Sequence, residues 1–283
     1  MATIRTIRRR IKSVKNIAKI TKAMEMVAAS KMRQAQERGL AGRPYSEKIN
    51  QVIADLAALP EAGLHPLLER RQVNRIAIIH ITPDRGLCGG LNASINRLTG
   101  NYILEQEIPV SLVAIGNKGI DFLVRCGRDI TAEFTNLGDK PTLLDTLPIS
   151  RIIIDSYCGH EVDIVYLAYA RFISTTVQKP VLEQLLPIEP AVIPPAQNAD
   201  YIYEPGPDAV LGVLLPRFVE MQVYHAILES IASEQSARMV AMRNATDNAN
   251  ELIGDLTLLY NKARQEMITT ELLDITGGVA ALD

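Results

Sequence analysis

The residues best suited by type to do chemistry lie in a glycine-rich loop, PDRGLCGGLN, at residues 83–92. The loop follows an apolar run typical of a buried strand and precedes a helical pattern, which is where phosphate-binding loops occur. It has neither the G-x-G-x-x-G pattern nor the G-K-S/T ending of a P-loop, so the lysine and hydroxyl that would meet phosphate and magnesium are absent. We therefore expect a tight strand-to-helix turn whose glycines allow close packing, with nucleotide binding as the alternative.

Cys88 lies in the same loop and could act as a nucleophile if a base approached it. The chain contains four histidines, and none forms a recognisable pattern with this cysteine. Cys126 and Cys158 are distant from it, and three widely spaced thiols suggest buried side chains in a reducing compartment rather than disulfides. No Cys/His cluster indicates a metal site, and no pair of carboxylates has a spacing that assigns acid and base roles. We predict no catalytic residue, no metal and no cofactor.

Long helices are predicted at both ends of the chain, at about residues 3–58 and 208–275. The first helix carries apolar residues at the spacing of a coiled-coil seam, and a second set resumes the seam after an extra three-residue step. The first set is Ile4, Ile7, Ile11 and Val14, and the second is Ile17, Ile20, Met24 and Val27. This spacing is typical of a helix that packs against a partner helix.

Glycine and proline residues are expected to interrupt these helices. Gly39, Gly42 and Pro44 should loosen the first helix, and Pro60 should end it. The last helix is expected to begin at Asp208 after Pro207, and Pro216 should either kink its first turns or mark its start.

The end of the last helix is apolar on every side. Ten apolar residues between Leu252 and Ile275 point all around it at about 100° per residue. A single antiparallel partner covers only one face, so the remaining surface requires a second environment. The protein's own α/β domain, an oligomer and a sleeve of other subunits are the alternatives.

Charge is distributed unevenly, although the formal net charge is only -2. Residues 1–50 contain 13 Lys/Arg against 3 Glu, whereas residues 208–283 contain 5 Lys/Arg against 11 Asp/Glu. The basic helix could bind nucleic acid, lie on an anionic membrane, or form a solvated face that pairs with acidic partners; the third fits the acidic tail. No uncharged run of about 18 residues appears, so we predict no transmembrane segment.

The middle of the chain alternates strand-like and helix-like segments. Apolar runs at 75–82 and 110–116 flank a helical pattern beginning near Leu91, and further strands are expected at 129–134 and 162–171. Such alternation predicts a Rossmann-like α/β domain with a mainly parallel sheet. We therefore divide the chain into a first long helix (1–60), a central α/β domain (70–205) and a second long helix (208–283).

Five blocks of sequence resemble the gamma subunit of F-type ATP synthases, and they occur in order nearly from end to end. They are ITKAMEMVAASKMR at 20–33 with RPY at 43–45, DRGLCGGLN at 84–92, YIYEP at 201–205, SEQSARMVAMRNATDNA at 233–249 and YNKARQEMITTEL at 260–272. The resemblance implies that the two terminal helices pair as a long antiparallel coiled coil, which forms a rotor shaft inserted into a hexamer of alternating alpha and beta subunits. It implies further contacts with the epsilon subunit and the membrane c-ring, and it places nucleotide chemistry on the beta subunits.

The matching motifs also imply particular contact residues. Arg264 and Gln265 resemble the pair that grips a beta-subunit loop, and Met24 resembles the position that faces the beta-subunit lever region. Tyr201 and Glu204 resemble positions at the base of the shaft, where the family contacts the c-ring and the epsilon subunit. The remaining hypotheses are an enzyme built on the central domain and a basic coiled-coil nucleic-acid or scaffold protein.

Two departures from the family pattern concern the last helix. Gly278 stands where alanine is usual, so the tip is expected to fray earlier, and Pro216 leaves its start open. The cysteine-bearing insert of plastid relatives is absent, so we expect no thiol switch. The absence of this insert and of a convincing transit peptide favours a bacterial protein, and the resemblance implies that it is peripheral to the cytoplasmic face of the cell membrane.

Overall fold

Two long helices begin and end the computed structural model, which describes residues 4–57, 65–189, 204 and 206–280. Helix α1 spans Ile4–Ala57 and helix α5 spans Pro207–Ala280, with 54 and 74 residues respectively. The chain divides into two units, one formed by Met1–Ala28 with Met239–Asp283 and the other by Ala29–Arg238. Each long helix contributes residues to both units.

The expected interruptions do not break either helix. α1 continues through Gly39, Gly42 and Pro44, and α5 continues through Pro216, which therefore does not mark its start. Packing explains the glycine at residue 42, because a Cβ atom there would lie 2.5 Å from a ring carbon of His225. Any side chain at that position would displace the histidine ring.

Both ends of α5 differ slightly from the prediction. The first residue is Pro207 rather than Asp208, and proline suits this position because the first N–H of a helix has no intrahelical partner. The helix also continues past Gly278 to Ala280, so Gly278 does not end it. At the other long helix, α1 ends at Ala57, and Pro60 lies outside the described residues.

A five-stranded sheet forms the centre of the Ala29–Arg238 unit. The strands are β1 (Ile76–Ile81), β2 (Val110–Ile115), β3 (Ala132–Phe134), β4 (Ile164–Phe172) and β5 (Gln178–Leu186). Their order is β3-β2-β1-β4-β5, with the first four parallel and β5 antiparallel to β4. This order, with neighbouring strands added on either side of β1, confirms the predicted Rossmann-like domain with a mainly parallel sheet.

Helices cover both faces of this sheet. Their bounds are α2 (Leu91–Glu105), α3 (Asn117–Arg125) and α4 (Leu143–Cys158). Alternate β1 residues enter two different cores: Ile79 packs with α4 and the neighbouring parts of α1 and α5, whereas Ile78 packs on the α2 and α3 side. Because both faces are covered, all six residues of β1 are buried.

Candidate functional site

The crevice where this fold class binds ligands is filled by the chain itself. Doubly wound sheets bind ligands beyond the carboxyl ends of the strands, where the strand order reverses, here beside β1 and β4. In this position Ser233 Oγ of α5 donates a hydrogen bond of 2.9 Å to the carbonyl oxygen of Ala170 at the end of β4. Arg238 of α5 donates a hydrogen bond of 3.1 Å to the carbonyl oxygen of Gly86 in the loop after β1.

Cys88 belongs to this loop, and its side chain points inward, where it is only 1% exposed. It belongs to a small apolar cluster with Leu91, Ile95 and Ala170. Burial raises the pKa of the Cys88 thiol, which keeps the sulfur protonated and unreactive. The prediction of buried thiols was wrong for Cys126 and Cys158, both of which are exposed.

The glycines of the same loop have a different role from the one predicted. No heavy atom lies within 4 Å of a Cβ atom built on Gly86, Gly89 or Gly90, so close packing does not explain them. Gly89 adopts φ +61, a left-handed conformation that glycine reaches without steric cost. The loop therefore requires glycine at residue 89 for its backbone conformation.

Asp84 occupies the other anion-binding position of this edge, the amino end of α3. Its Oδ1 accepts hydrogen bonds of 3.1 and 3.2 Å from the backbone and side-chain nitrogens of Asn117, and its Oδ2 accepts one of 3.1 Å from the Asn136 N–H. A carboxylate satisfies the free N–H groups and favours the positive end of the helix dipole. The protein thus supplies its own anion where a phosphate would otherwise bind.

His80 of β1 forms a buried polar cluster with two residues of α2. Its Nε2 lies 2.9 Å from Asn96 Oδ1, and its Nδ1 lies 3.0 Å from Thr99 Oγ1. These partners suit a neutral ring in which Nε2 donates and Nδ1 accepts. Burial lowers the pKa of His80 to about 4, so the ring stays uncharged at neutral pH.

Acidification should destabilise the Ala29–Arg238 unit through His80. An unfolded histidine titrates near pH 6.5, so between about pH 6.5 and 4 the unfolded chain binds a proton that the folded chain excludes. At about 1.4 kcal/mol per pH unit, the free energy of unfolding should fall by about 2 kcal/mol between pH 6.5 and 5. Urea titrations of the wild type and His80→Asn at both pH values measure this term, because the variant should show a correspondingly smaller fall.

His160→Asn is the matched control for this experiment. His160 is exposed, and asparagine tolerates its φ of 58°. We expect this variant to keep the pH dependence of the wild type. Equal pH dependence in the wild type and His80→Asn would contradict the role of His80.

The other candidate surface is the pair of helices in the Met1–Ala28 and Met239–Asp283 unit. Thr21 Oγ1 lies 2.7 Å from Thr246 Oγ1, and Glu25 Oε1 lies 3.1 Å from Arg243 Nε. Higher numbers in α1 therefore meet lower numbers in α5, so the two helices are antiparallel as predicted. This ion pair reverses the overall charge pattern of the two helices, because its carboxylate lies on the basic helix α1 and its arginine lies on the acidic helix α5.

The buried seam of α1 differs from the predicted one after Val14. The half-buried or buried positions continue in an unbroken seven-residue repeat, with no extra step. The residues of this repeat are Ile4, Ile7, Ile11, Val14, Ala18, Thr21, Glu25 and Ala28, and Met24 beside Glu25 is also half-buried. Small and polar residues therefore occupy the second half of the seam, and they were overlooked because apolar residues precede them by one position.

Those apolar residues form a separate stripe on α1. Ile17, Ile20 and Val27 are 49%, 59% and 54% exposed, and Met24 lies between them in the sequence with partial exposure. Each residue precedes a seam residue by one position, which turns it about 100° away from α5. Met24, predicted to contact the beta subunit, thus lies on an outward apolar stripe (Ile17, Ile20, Met24 and Val27).

A charged layer is held inside the seam at Glu25. Its side chain is 8% exposed and accepts hydrogen bonds from Lys22 and Arg243, at 3.0 and 3.1 Å. The bond from Lys22 contributes most to lowering the pKa of the Glu25 carboxyl, and the bond from Arg243 adds to it. A buried polar layer in a coiled coil favours one register, because a shifted register would separate Glu25 from Arg243.

The far part of α5 has no cover. Every residue from Arg264 to Thr276 is exposed. Large apolar side chains in and before this stretch are Leu252, Leu258, Leu259, Met267, Ile268, Leu272, Leu273 and Ile275, each at least 46% exposed. At about 100° per residue they point around the whole helix, as predicted. Arg264 and Gln265, the predicted grip, are exposed here.

The structure does not bring the predicted contact residues together. Met24 lies near the level of Arg243, and Arg264 lies roughly 30 Å farther along α5 at about 1.5 Å per residue. Glu204 is exposed shortly before α5 begins, and Tyr201 lies outside the described residues. Met24 and Arg264 therefore mark two separate levels of the paired helices.

Within residues 4–57, 65–189, 204 and 206–280, no helix is both long and apolar enough to cross a membrane. The same residues hold no group of three or more His, Cys, Asp or Glu side chains arranged to bind a metal ion.

The fold and the exposed surfaces define a class of protein that combines an α/β domain with two paired terminal helices. The exposed apolar surface of these helices is suited to burial by other protein chains. The family model described as ATP synthase matches residues 3–282. An ATP synthase gamma chain of Dehalococcoides mccartyi strain CBDB1 is 70% identical over 284 residues, with 100% of each chain covered. The gamma chain of Herpetosiphon aurantiacus is 51% identical over 294 residues, again with both chains fully covered. The chain belongs to the ATP synthase gamma family.

Solved structures agree with this assignment. A chain from the Tetrahymena thermophila mitochondrial ATP synthase central stalk and c-ring is 26% identical, with a TM-score of 0.61, over 80% of this chain and 99% of that one. A chain of the Euglena gracilis mitochondrial enzyme is 21% identical, with a TM-score of 0.68, over 99% of this chain and 94% of that one. The second likeness shows the fold alone.

Proposed function

We propose that this chain is the central rotor shaft of a bacterial F-type ATP synthase, which couples ion-driven rotation of the c-ring to conformational changes at the beta-subunit sites. The observation that supports this most is the apolar surface that surrounds the last part of α5 and is exposed in the isolated chain. Exposed apolar area of this extent is typical of a surface that other chains cover. A sleeve of alternating alpha and beta subunits would cover it on all sides.

Asymmetry of the shaft supplies the coupling. The outward stripe on α1 is apolar, whereas the neighbouring α1 face carries exposed basic residues such as Arg8, Lys12 and Lys19. A beta subunit therefore meets a different surface at each rotor angle. A shaft shifts a conformational equilibrium only through such differences in contact free energy, so rotation would favour open, loose and tight beta-subunit states in turn.

The contact residues fall at three levels in this proposal. Arg264 and Gln265 grip a beta-subunit loop near the tip, and Met24 with its outward stripe faces the beta-subunit lever region. Tyr201 and Glu204 contact the c-ring and the epsilon subunit at the base, on the cytoplasmic face of the membrane. Residues 1–60 and 208–283 then act as shaft helices, and residues 70–205 act as the base domain.

The chain is further proposed to hold no catalytic residue of its own. Support comes from the filled crevice, where α5 hydrogen-bonds the end of β4 and the loop after β1. The protonated, buried Cys88 is also unsuited to nucleophilic attack. An enzyme built on the central domain would have to displace α5 from this position.

Reconstitution tests the proposed function. Combining the full chain with purified alpha and beta subunits should yield a complex with strong ATPase activity, and the chain alone should show none. Robust hydrolysis by the isolated chain, or full activity of the alpha–beta hexamer without it, would contradict the proposal. The alternative of a basic nucleic-acid or scaffold protein is not favoured, because the similar proteins named above are gamma chains and central-stalk chains.

A further inference from the structure

A groove runs between α2 and α3, on the sheet face opposite α4. It has a volume of about 560 Å³. Its floor is apolar, with Ile103 and Leu123 fully buried and the Phe122 ring half-buried. Gly100 keeps the floor low, because a Cβ atom at this position would approach the Phe122 ring to 3.2 Å. Leu104, at the edge, is 76% exposed.

The groove is rimmed by positive charge. Arg97, Arg125 and Arg128 line it, and no acidic side chain of the described residues does so. Arg125 uses its Nε to bond the Asp121 carbonyl oxygen at 2.9 Å, which leaves its terminal nitrogens available. Among the described residues, Arg97 and Arg128 have neither an ion-pair partner nor a hydrogen-bond acceptor.

Six arginines elsewhere in the described chain are paired with a carboxylate, which occupies their guanidinium groups. Those with such a partner are Arg70, Arg71, Arg171, Arg217, Arg238 and Arg243. The rim of the groove thus combines unpaired guanidinium groups with exposed apolar surface. Guanidinium groups bind carboxylates in pairs of parallel hydrogen bonds, so a partner with carboxylates beside apolar side chains matches this surface.

We propose that the α2–α3 groove docks an acidic amphipathic helix of another protein chain. A rod-shaped partner fits the space between two neighbouring helices, where its apolar side chains would meet Leu104 and Phe122. Its carboxylates would meet the three rim arginines. This surface lies on the α/β domain and is independent of the rotor function proposed above.

A synthetic peptide tests the chemistry of this groove. The probe is a fluorescent 18-residue helical peptide with leucine on one face and glutamate elsewhere, titrated against the full-length chain by fluorescence anisotropy. We expect saturable binding that is at least about tenfold tighter than that of the same peptide with lysine in place of glutamate. Added salt should weaken the binding, because the ion pairs lie at an exposed rim.

Variants and a chemical footprint locate the bound peptide. Arg97→Glu combined with Arg128→Glu should weaken binding by about tenfold or more, and Leu104→Ser should weaken it by several-fold. Arg151→Glu, at an exposed position on α4, is the matched control and should change the affinity by less than about twofold. The peptide should also slow alkylation of Cys126, which lines the groove, and leave alkylation of Cys158 unchanged.

Several results would overturn the proposal. Equal affinity for the glutamate and lysine peptides would remove the charge argument. An equal effect of Arg151→Glu and the groove variant would show that only net charge matters. Binding of phosphatidylglycerol vesicles or ATP that protects Cys126, without peptide binding, would assign the groove to a membrane surface or to a small anion instead.

Discussion

Replacing Gly116 by alanine should destabilise the α/β domain by more than about 4 kcal/mol, the largest stability effect expected in this chain. Gly116 directly follows β2 and has φ +90, a backbone conformation that residues with a side chain rarely adopt. A Cβ atom there would lie only 1.9 Å from the carbonyl oxygen of Thr82. Both the backbone conformation of Gly116 and the clash with the Thr82 carbonyl oxygen therefore oppose the substitution.

The surrounding backbone cannot move aside cheaply. The Thr82 N–H donates a 2.8 Å hydrogen bond to the Ile115 carbonyl oxygen, and the Gly116 N–H donates one of 2.8 Å to the Phe134 carbonyl oxygen. Relief of the clash would break part of this network, which joins β1, β2 and β3. Buried backbone groups left without partners would add to the loss.

Urea unfolding followed by circular dichroism measures this effect. Gly127→Ala is the matched control, because Gly127 has a φ of +65 and no heavy atom within 4 Å of the added Cβ. It should cost only about 1–2 kcal/mol, the backbone penalty alone. If the two variants lost equal stability, the Thr82 contact would have no part in the effect.

The largest functional loss is expected for the double substitution Arg264→Ala with Gln265→Ala. Hydrogen bonds to charged groups contribute about 1.5–3 kcal/mol, and neutral ones about 0.5–1.5 kcal/mol. Loss of about 2.7 kcal/mol of rotor–stator contact would lower the rate of ATP synthesis about a hundredfold, since each 1.4 kcal/mol corresponds to tenfold. Both side chains are exposed, so the free energy of unfolding should change by less than about 0.5 kcal/mol.

Proteoliposomes that contain the reconstituted complex provide the measurement, with ATP synthesis driven by an imposed ion gradient. Asn261→Ala with Lys262→Ala is the matched control, because both residues are exposed on the same part of α5. We expect the control to retain most of the synthesis rate. A comparable loss in the control, or a loss of stability equal to the loss of activity, would contradict the proposed grip.

The sheet was largely predictable because its buried strands are continuous apolar runs. β1 is buried on both faces, so polar residues do not alternate with its apolar residues and the strand is easy to recognise in the sequence. β5 was missed because Pro180 interrupts its pattern. Proline is tolerated there because β5 is an edge strand, a fact that depends on strand order and cannot be read from the local sequence.

The candidate surfaces were only partly predictable for a similar reason. The apolar surface around the tip of α5 follows from spacing alone. The seam of α1 does not, because Ala18, Thr21 and Glu25 contribute little apolar area and become buried only through their partners on α5. Likewise, the crevice filled by Ser233 and Arg238 depends on contacts between residues far apart in the sequence.

The small residues of this seam make the paired helices narrow. Thr21 meets Thr246, and by the same register Ala18 lies level with Ala249, so little side-chain volume separates the two backbones. Helix axes lie about 8–10 Å apart depending on such side chains, and alanine favours the lower end. The resistance of a rod to twisting falls steeply as its radius decreases. Under load, the stretch around Ala18 and Ala249 would therefore wind and unwind more readily than thicker parts, and so act as a torsion spring.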